Sequence, residues 1–213
     1  MNRRLRRRLI FVALLLIGLV FTRQVFFAAP PGPRSLRTFD PDRTAALELD
    51  MWQAYYAKAK VRLFKDLVTM LHEQNRYPWA KATIAGFHLA RAAATFGDAR
   101  GDYERVLPDL ERAYEIEKDW VHAGFDPKAV AKAELAWWVA RRLPGQNSAE
   151  QVGRLIAEEN ALLYEIPVER VLEASTLRAR AGKLRDDGGA DADWATVAQL
   201  LTESYRKLHA AVQ

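Results

Sequence analysis

The sequence predicts an all-α protein, in which a single N-terminal transmembrane helix precedes an irregular globular domain of about six to seven helices. Three observations predict this fold class. The chain starts with an arginine-rich tail and an apolar run, later apolar residues recur at three-and-four spacing, and no segment has the alternation or β-branched enrichment of a strand. With 50% hydrophobic and 10% aromatic residues, the chain can build a packed core, which excludes a disordered protein.

The first element is a basic tail over residues 1–8, followed by an apolar segment. Five of the first eight residues are arginine, and residues 9–21 contain no polar side chain. Residues 9–29 reach the length of about 20 residues that a bilayer-spanning helix needs. The positive flank predicts a cytoplasmic N-terminus and an extracytoplasmic domain. Because the Ala- and Arg-rich composition is typical of bacteria, we expect a single-pass protein of the bacterial inner membrane with a periplasmic domain.

A cleavable signal peptide is the alternative for this segment. Cleavage needs small residues at the first and third positions before the cut, and a cut after Ala28 or Ala29 places Phe26 or Phe27 at the third. Pro30 is a poor residue to follow such a cut. The sequence therefore favours an uncleaved anchor, and a secreted soluble domain stays as the alternative.

Residues 30–42 separate the anchor from the domain. Four prolines in this segment predict a stiff, extended stalk. Residues 43–213 are enough for one autonomous helical domain with its own core. The chain has no cysteine, so disulfides, thiol catalysis and thiolate metal sites are excluded.

The formal net charge of +5 is concentrated at the N-terminus. Six of the 32 basic residues precede residue 30, which leaves 26 basic residues against 27 acidic ones in the rest of the chain. A nearly neutral domain gives no reason to expect a phosphate-binding surface. We therefore expect no nucleic acid partner.

Helices follow one another through the domain, and capping residues mark several of their starts. Asp40 and Asp126 each precede a proline at the first helical position, and Ser148 begins a capping box. The first of these helices carries a long apolar face from Met51 to Met70. Spacing and breaks predict helices over residues 41–75, 78–96, 108–122, 127–143, 149–164, 167–185 and 193–212.

Asp119 and His122 are the nearest approach to a metal-binding motif, because they place a carboxylate and an imidazole on one helix face. A di-iron bundle needs a second such pair and two further glutamates, and the second pair is missing. The motifs of phosphate-binding loops, dinucleotide sites and zinc proteases are also missing. We therefore expect a solvated helix face at Asp119 and His122, with no metal and no cofactor.

Three polar residues lie within apolar helices. His88 and Arg91 share one face of an alanine-rich helix, and Glu134 lies between Val130 and Trp137. Buried acids and bases cost several kcal/mol unless they are paired. We therefore expect Glu134 to pair with His88 and Arg91 across a helix interface. Such a cluster would be a proton-transfer or ligand-orienting site, a structural polar lock, or a stripe that faces water.

The functional prediction is a membrane-anchored helical module that binds a protein partner or supports an assembly. Trp138, if exposed beside Trp137, is the best candidate for a contact surface. The alternative is a membrane-associated enzyme with a helical-bundle site around Glu134, His88 and Arg91. A deep cleft that contains these residues would favour the enzyme, whereas a flat apolar patch would favour the binding module.

Overall fold

The computed structural model describes residues 3–213, and all the regular elements of that part of the chain are helices. The prediction of an all-α protein is therefore confirmed. The α-helices are α1 (Arg3–Phe27), α2 (Pro41–Tyr56), α3 (Lys60–Glu73), α4 (Trp79–Asp98), α5 (Leu107–Val121), α6 (Pro127–Arg142), α7 (Ala149–Tyr164), α8 (Val168–Gly188) and α9 (Trp194–Val212), with short 3₁₀ helices at Tyr103–Val106 and Gly189–Asp191.

Capping residues fix several helix starts close to the predicted positions. Asp40, Asp126, Ser148 and Asp193 each accept hydrogen bonds from backbone N–H groups of the turn that follows. Those N–H groups have no partner inside the helix, so the caps stabilise the starts. As a result, α2, α6, α7 and α9 begin within one residue of the positions that the sequence predicts.

The single helix predicted over residues 41–75 is wrong, because the chain divides it into α2 and α3. Lys58 takes the left-handed backbone conformation, with φ of 56°, and the N–H of Ala59 bonds back to the carbonyl of Ala54. This turn folds α3 back against α2. Neither glycine nor proline marks the turn, and the apolar spacing continues across it. The break is therefore not visible in the sequence pattern. The fully described domain thus has eight α-helices where about six to seven were predicted.

Helices α2 to α9 form a closed ring. Each helix packs against the next one along the chain, and α9 packs against α2. The apolar core follows this arrangement, because the five clusters of buried residues each lie among neighbouring helices of the ring. The core therefore follows the ring, between neighbouring helices. Side chains that point to the centre of the ring line a cavity.

A close approach between α7 and α8 supports one side of this cavity. A Cβ atom built at Gly153 would lie only 2.7 Å from the Cα of Thr176, so a larger side chain at position 153 would push the helices apart. Glu159 follows Gly153 on α7, and Arg178 follows Thr176 on α8. Both side chains reach the centre of the ring.

Residues 30–42 lie partly against the ring and do not extend from it as a free stalk. Arg37 donates hydrogen bonds to the backbone carbonyls of Tyr164 and Val212, at 2.7 and 2.8 Å. Leu36 packs against a core cluster of α4, α5 and α6. The segment therefore ties the ends of α7 and α9 to the start of the domain.

Helix α1 packs against α4, and its described side chains, at positions 11–20 and 22–27, are exposed. The exposed fractions of Phe11 and Leu19 are 62% and 67%. Within the described part of the chain, no helix combines the length and the apolar character needed to cross a membrane. This finding does not support the anchor predicted over residues 9–29. The arginine side chains of the basic tail predicted over residues 1–8 lie outside the described part of the structure.

Candidate functional site

The ring encloses a cavity of two adjoining chambers. The outer chamber has a volume of about 520 Å³, and the inner chamber has a volume of about 260 Å³. Together they fall in the size range of small-molecule sites in proteins. The two chambers meet at Leu67, Leu89, Glu134, Trp137 and Arg178, which line both.

Aromatic side chains form much of the outer wall. Helix α2 supplies Trp52, Tyr55 and Tyr56, and α6 supplies Trp137 and Trp138. Trp138, which the sequence suggests as an exposed contact, is instead half-buried and faces this chamber. Large, rigid rings of this kind bind apolar or planar molecules through area and stacking. The outer chamber is therefore suited to the apolar body of a ligand.

Three arginines also line the outer chamber, and each of them has a partner. Arg141 donates to Asp186 at 2.7 Å, and Arg142 donates to the backbone carbonyl of Phe96 at 2.7 Å. The third, Arg178, forms an ion pair with a carboxylate of α2. The described residues of this chamber therefore present no guanidinium that lacks a partner.

The ion pair of Arg178 with Glu48 joins α8 to α2. The guanidinium donates to Glu48 Oε1 from Nη2 at 2.5 Å and from Nε at 3.0 Å. Glu48 is only 3% exposed. Burial disfavours the charge of Arg178, but Glu48 outweighs this effect and holds the pKa of Arg178 above its usual range. The pair is neutral as a unit, and removing either partner would strand a buried charge.

A chain of hydrogen bonds connects two carboxyl groups at the junction of the chambers. Trp137 donates from Nε1 to Glu159 Oε2 at 2.6 Å. The hydroxyl of Tyr114 lies 2.9 Å from Glu159 Oε1 and 2.9 Å from Glu134 Oε2. A phenol has one proton to donate, so one of these carboxyls must be protonated to make the second bond. Since Glu159 already accepts from Trp137, the consistent assignment is that Glu134 donates to Tyr114 and Tyr114 donates to Glu159.

The raised pKa of Glu134 agrees with this assignment; burial also raises the pKa of Glu159, but Arg178, Tyr114 and Trp137 oppose that rise. Burial raises the pKa of Glu134 to about 8, and the nearby carboxylate of Glu159 adds to the effect. Burial also raises the pKa of Glu117 to about 7, although Asn75 donates to its Oε1 at 2.5 Å and opposes the rise. Glu134 therefore favours its protonated form near neutral pH, and Glu117 can exchange a proton in the same range.

The cavity has an excess of acidic groups. Its walls contain three guanidinium groups and five carboxyl groups, those of Glu48, Glu117, Glu134, Glu159 and Asp186. Since Glu48 pairs with Arg178 and Asp186 pairs with Arg141, the other three carboxyls have no ion-pair partner among the described residues. Protonation of Glu134 and Glu117, whose pKa values burial raises, lowers the negative charge of the inner chamber near neutral pH.

The predicted pairing of Glu134 with His88 and Arg91 is wrong. His88 Nδ1 lies 2.8 Å from Asp109 Oδ1, and Arg91 Nε donates to Asp109 Oδ2 at 2.6 Å. Asp109 is in the first turn of α5, so the stripe on α4 faces α5. Glu134 reaches the cavity from α6, whereas His88 and Arg91 line neither chamber.

Asp119 and His122 lie exposed near the end of α5. His122 caps the helix in the left-handed conformation, with φ of 55°. Among the described residues, no group of three His, Cys, Asp or Glu side chains could hold a metal ion. The two residues therefore belong to a helix end on the surface, and neither lines the cavity.

Sequence reasoning missed most of the interior polar groups, and Glu159 shows why. It lies within the polar run of residues 158–160, which is typical of a surface. Glu158 is indeed exposed, but Glu159 is buried. The available signal was that Glu159 follows the buried Ile156 by three residues and therefore shares its face. The other missed groups include Glu48, Tyr114, Glu117 and Arg178.

No protein-family model, curated protein or solved structure matches this chain. The features that indicate function are therefore those of the cavity, which has aromatic rings in its outer part and carboxyls in its inner part.

Proposed function

We propose that this chain is a membrane-tethered ligand-binding module, in which the ring of α2 to α9 takes a small molecule into its cavity. The observation that carries the proposal is the closed ring around an outer chamber of about 520 Å³. Unfilled space costs stability, because the side chains around it lose their contacts. A module that only held a protein surface would not need such a space. The interaction module expected from the sequence is therefore proposed to have a small-molecule partner.

Attachment to a membrane is proposed from the N-terminal segment. Its arginines precede an apolar run, and the described side chains of α1 are exposed. Burial of such side chains in a bilayer, beside a basic flank, is energetically favourable. In the proposed orientation, the N-terminus is cytoplasmic and the ring lies on the other side of the membrane.

Protease digestion tests this orientation in cells from which the outer barrier has been removed. The ring should be digested while an N-terminal tag is protected. A ring that is protected until the membrane is breached would contradict the orientation. Release of a soluble form that begins near residue 30 would instead support the secreted alternative.

An enzyme is the second candidate, and Glu134 favours it. Burial and Glu159 raise the pKa of Glu134 to about 8, so the group can exchange a proton near neutral pH while it faces the cavity. The trio expected from the sequence does not meet, however, because His88 and Arg91 bind Asp109. This separation favours binding over catalysis.

A substitution that fills the outer chamber tests the proposed binding function. Ala93 on α4 lines the outer chamber, whereas the next residue, Ala94, is exposed. Full-length protein in lipid nanodiscs is mixed with benzyl alcohol, a neutral aromatic probe, and broadening of the probe's NMR signals reports binding above an empty-nanodisc blank. Ala93→Trp should remove binding, and the matched control Ala94→Trp should retain it. Equal binding by both variants would contradict the proposal.

A further inference from the structure

We propose that the cavity binds an organic cation, with the ammonium group of the ligand beside Glu134 and its apolar body among the aromatic side chains of the outer chamber. This inference rests on the proposed ligand-binding function and specifies the chemistry of the ligand. Its basis is the arrangement of donors, acceptors and charges where the two chambers meet.

The first argument is the charge of the inner chamber. Glu117, Glu134 and Glu159 line it, and Arg178, the guanidinium beside them, is held by Glu48. An anionic ligand would therefore meet carboxyls with no unpaired cation to receive it. A cationic ligand would supply the charge that protons now supply.

The second argument is the hydrogen bonding of Glu134. Tyr114 engages Oε2 at 2.9 Å, and no described residue hydrogen-bonds Oε1. When Glu134 is protonated on Oε2, Oε1 is a carbonyl-like acceptor, and when it is ionised both oxygens are acceptors. In either state Oε1 is available to accept a hydrogen bond from a ligand. Because Glu134 lines both chambers, a ligand N–H group can reach it from the outer chamber.

The third argument is the order of the side chains from the outer chamber to Glu134. Outside Glu134, the wall carries Trp52, Tyr56 and Trp138, and Trp137 lines both chambers. Aromatic faces attract ammonium groups and pack against apolar ones. The cavity wall is aromatic in the outer chamber and carries carboxyls in the inner one. A molecule with an amine at one end and a ring or short alkyl body at the other therefore matches it.

Binding of such a cation should release a proton. An ammonium beside Glu134 favours its ionised form, so the neutral carboxyl loses its proton when the ligand enters. Glu117 is the second group able to lose one near neutral pH, since burial raises its pKa to about 7. Burial raises the pKa of Tyr114, Tyr164 and Tyr205 further above their usual values, so they keep their protons. The other charged groups that line the two chambers are Glu48, Glu159, Arg178, Arg141, Arg142 and Asp186.

Isothermal titration calorimetry of the full-length protein in nanodiscs tests this inference. Benzylamine is the cationic probe, and benzyl alcohol is the neutral probe of nearly the same shape. Benzylamine should bind at least about tenfold more tightly at pH 7. Its affinity should rise about tenfold between pH 6 and pH 7, with about one proton released, as titrations in buffers of different ionisation enthalpy will measure.

Two substitutions assign the effect to the site. Glu134→Gln should remove the preference for the amine and the proton release while benzyl alcohol still binds. Glu158→Gln, on the exposed face of α7, is the matched control and should behave as the wild type. If Glu134→Gln does not fold, Glu117→Gln takes its place and should weaken amine binding at least threefold.

The outcomes separate the two proposals. If benzyl alcohol binds and benzylamine binds no more tightly, the cation inference is overturned and the ligand-binding function stands. If amine binding is unchanged by Glu134→Gln, or by the chamber-filling Ala93→Trp, the assigned site is wrong. If neither probe binds, the proposed function itself fails.

Discussion

Replacement of Glu134 by Gln should stabilise the protein at neutral and higher pH. Glutamine has the shape of a protonated glutamate, and its amide can donate to Tyr114 as the carboxyl does. The relay from position 134 through Tyr114 to Glu159 therefore survives. From the sequence alone, pairing with Arg91 predicted the reverse, a loss of about 3–5 kcal/mol from a stranded charge. The sign of the effect distinguishes the two interpretations.

The magnitude follows from the pKa of Glu134, which burial and Glu159 raise from 4.5 to about 8. A carboxyl with a raised folded-state pKa binds its proton more tightly in the folded protein. Stability is therefore greatest below pH 4.5 and falls as pH rises towards 8. The slope is about 1.4 kcal/mol per pH unit. Between pH 4.5 and pH 7 the wild type should lose about 3 kcal/mol from this group, and glutamine removes that loss.

Urea denaturation of the chain from residue 30, at constant ionic strength between pH 4.5 and pH 8, measures this difference. The free energy of unfolding of Glu134→Gln minus that of the wild type should increase steadily over this range. Glu117 titrates in both proteins, so its contribution largely cancels. Parallel stability curves would refute the protonated state of Glu134, and a variant less stable at every pH would refute the relay.

Three further substitutions or truncations test the architecture. Arg178→Met should lower the free energy of unfolding by about 3–5 kcal/mol, because it strands the buried Glu48; urea denaturation measures the loss, and a neutral result would contradict the ion pair. Lys58→Gly should raise stability by up to about 1 kcal/mol, because glycine takes the left-handed conformation most easily; a lower melting temperature would contradict the turn. A chain that starts at residue 39 keeps the Asp40 cap of α2 but lacks Arg37, and it should be about 1–3 kcal/mol less stable than one that starts at residue 30; equal melting temperatures in calorimetry would show that the hydrogen bonds of Arg37 contribute nothing.

The sequence predicts local features of this fold well, because caps and apolar spacing act over a few residues. Asp126 and Ser148 mark helix starts that depend only on the following turn. The break at Lys58 was not predictable in this way, because the left-handed turn is stabilised by α3 packing back on α2. Closure of the ring was also beyond the sequence, since α2 and α9 are far apart along the chain.

Part of the site could be predicted as well. Glu134 was recognisable because it stands alone among apolar neighbours, and it does line the cavity. Its hydrogen-bond partners were not recognisable, because they lie on other helices. Tyr114 is 20 residues from Glu134 along the chain, and Glu159 is 45 residues from Tyr114. Asp109, the true partner of His88, follows Pro108 and resembles an ordinary acid at a helix start.

Two side-chain contacts between α2 and α8 connect the stability of the ring to the cavity. Arg178 bonds to Glu48 across 130 residues of chain, and Tyr56 bonds to Asp186 across another 130. Both pairs join α2 to α8, and all four residues line the outer chamber. A ligand between the aromatic side chains of α2 and Glu134 of α6 would therefore lie beside the residues that join α2 to α8. Because anything that binds the folded state alone stabilises it, occupancy of the cavity and closure of the ring should favour each other.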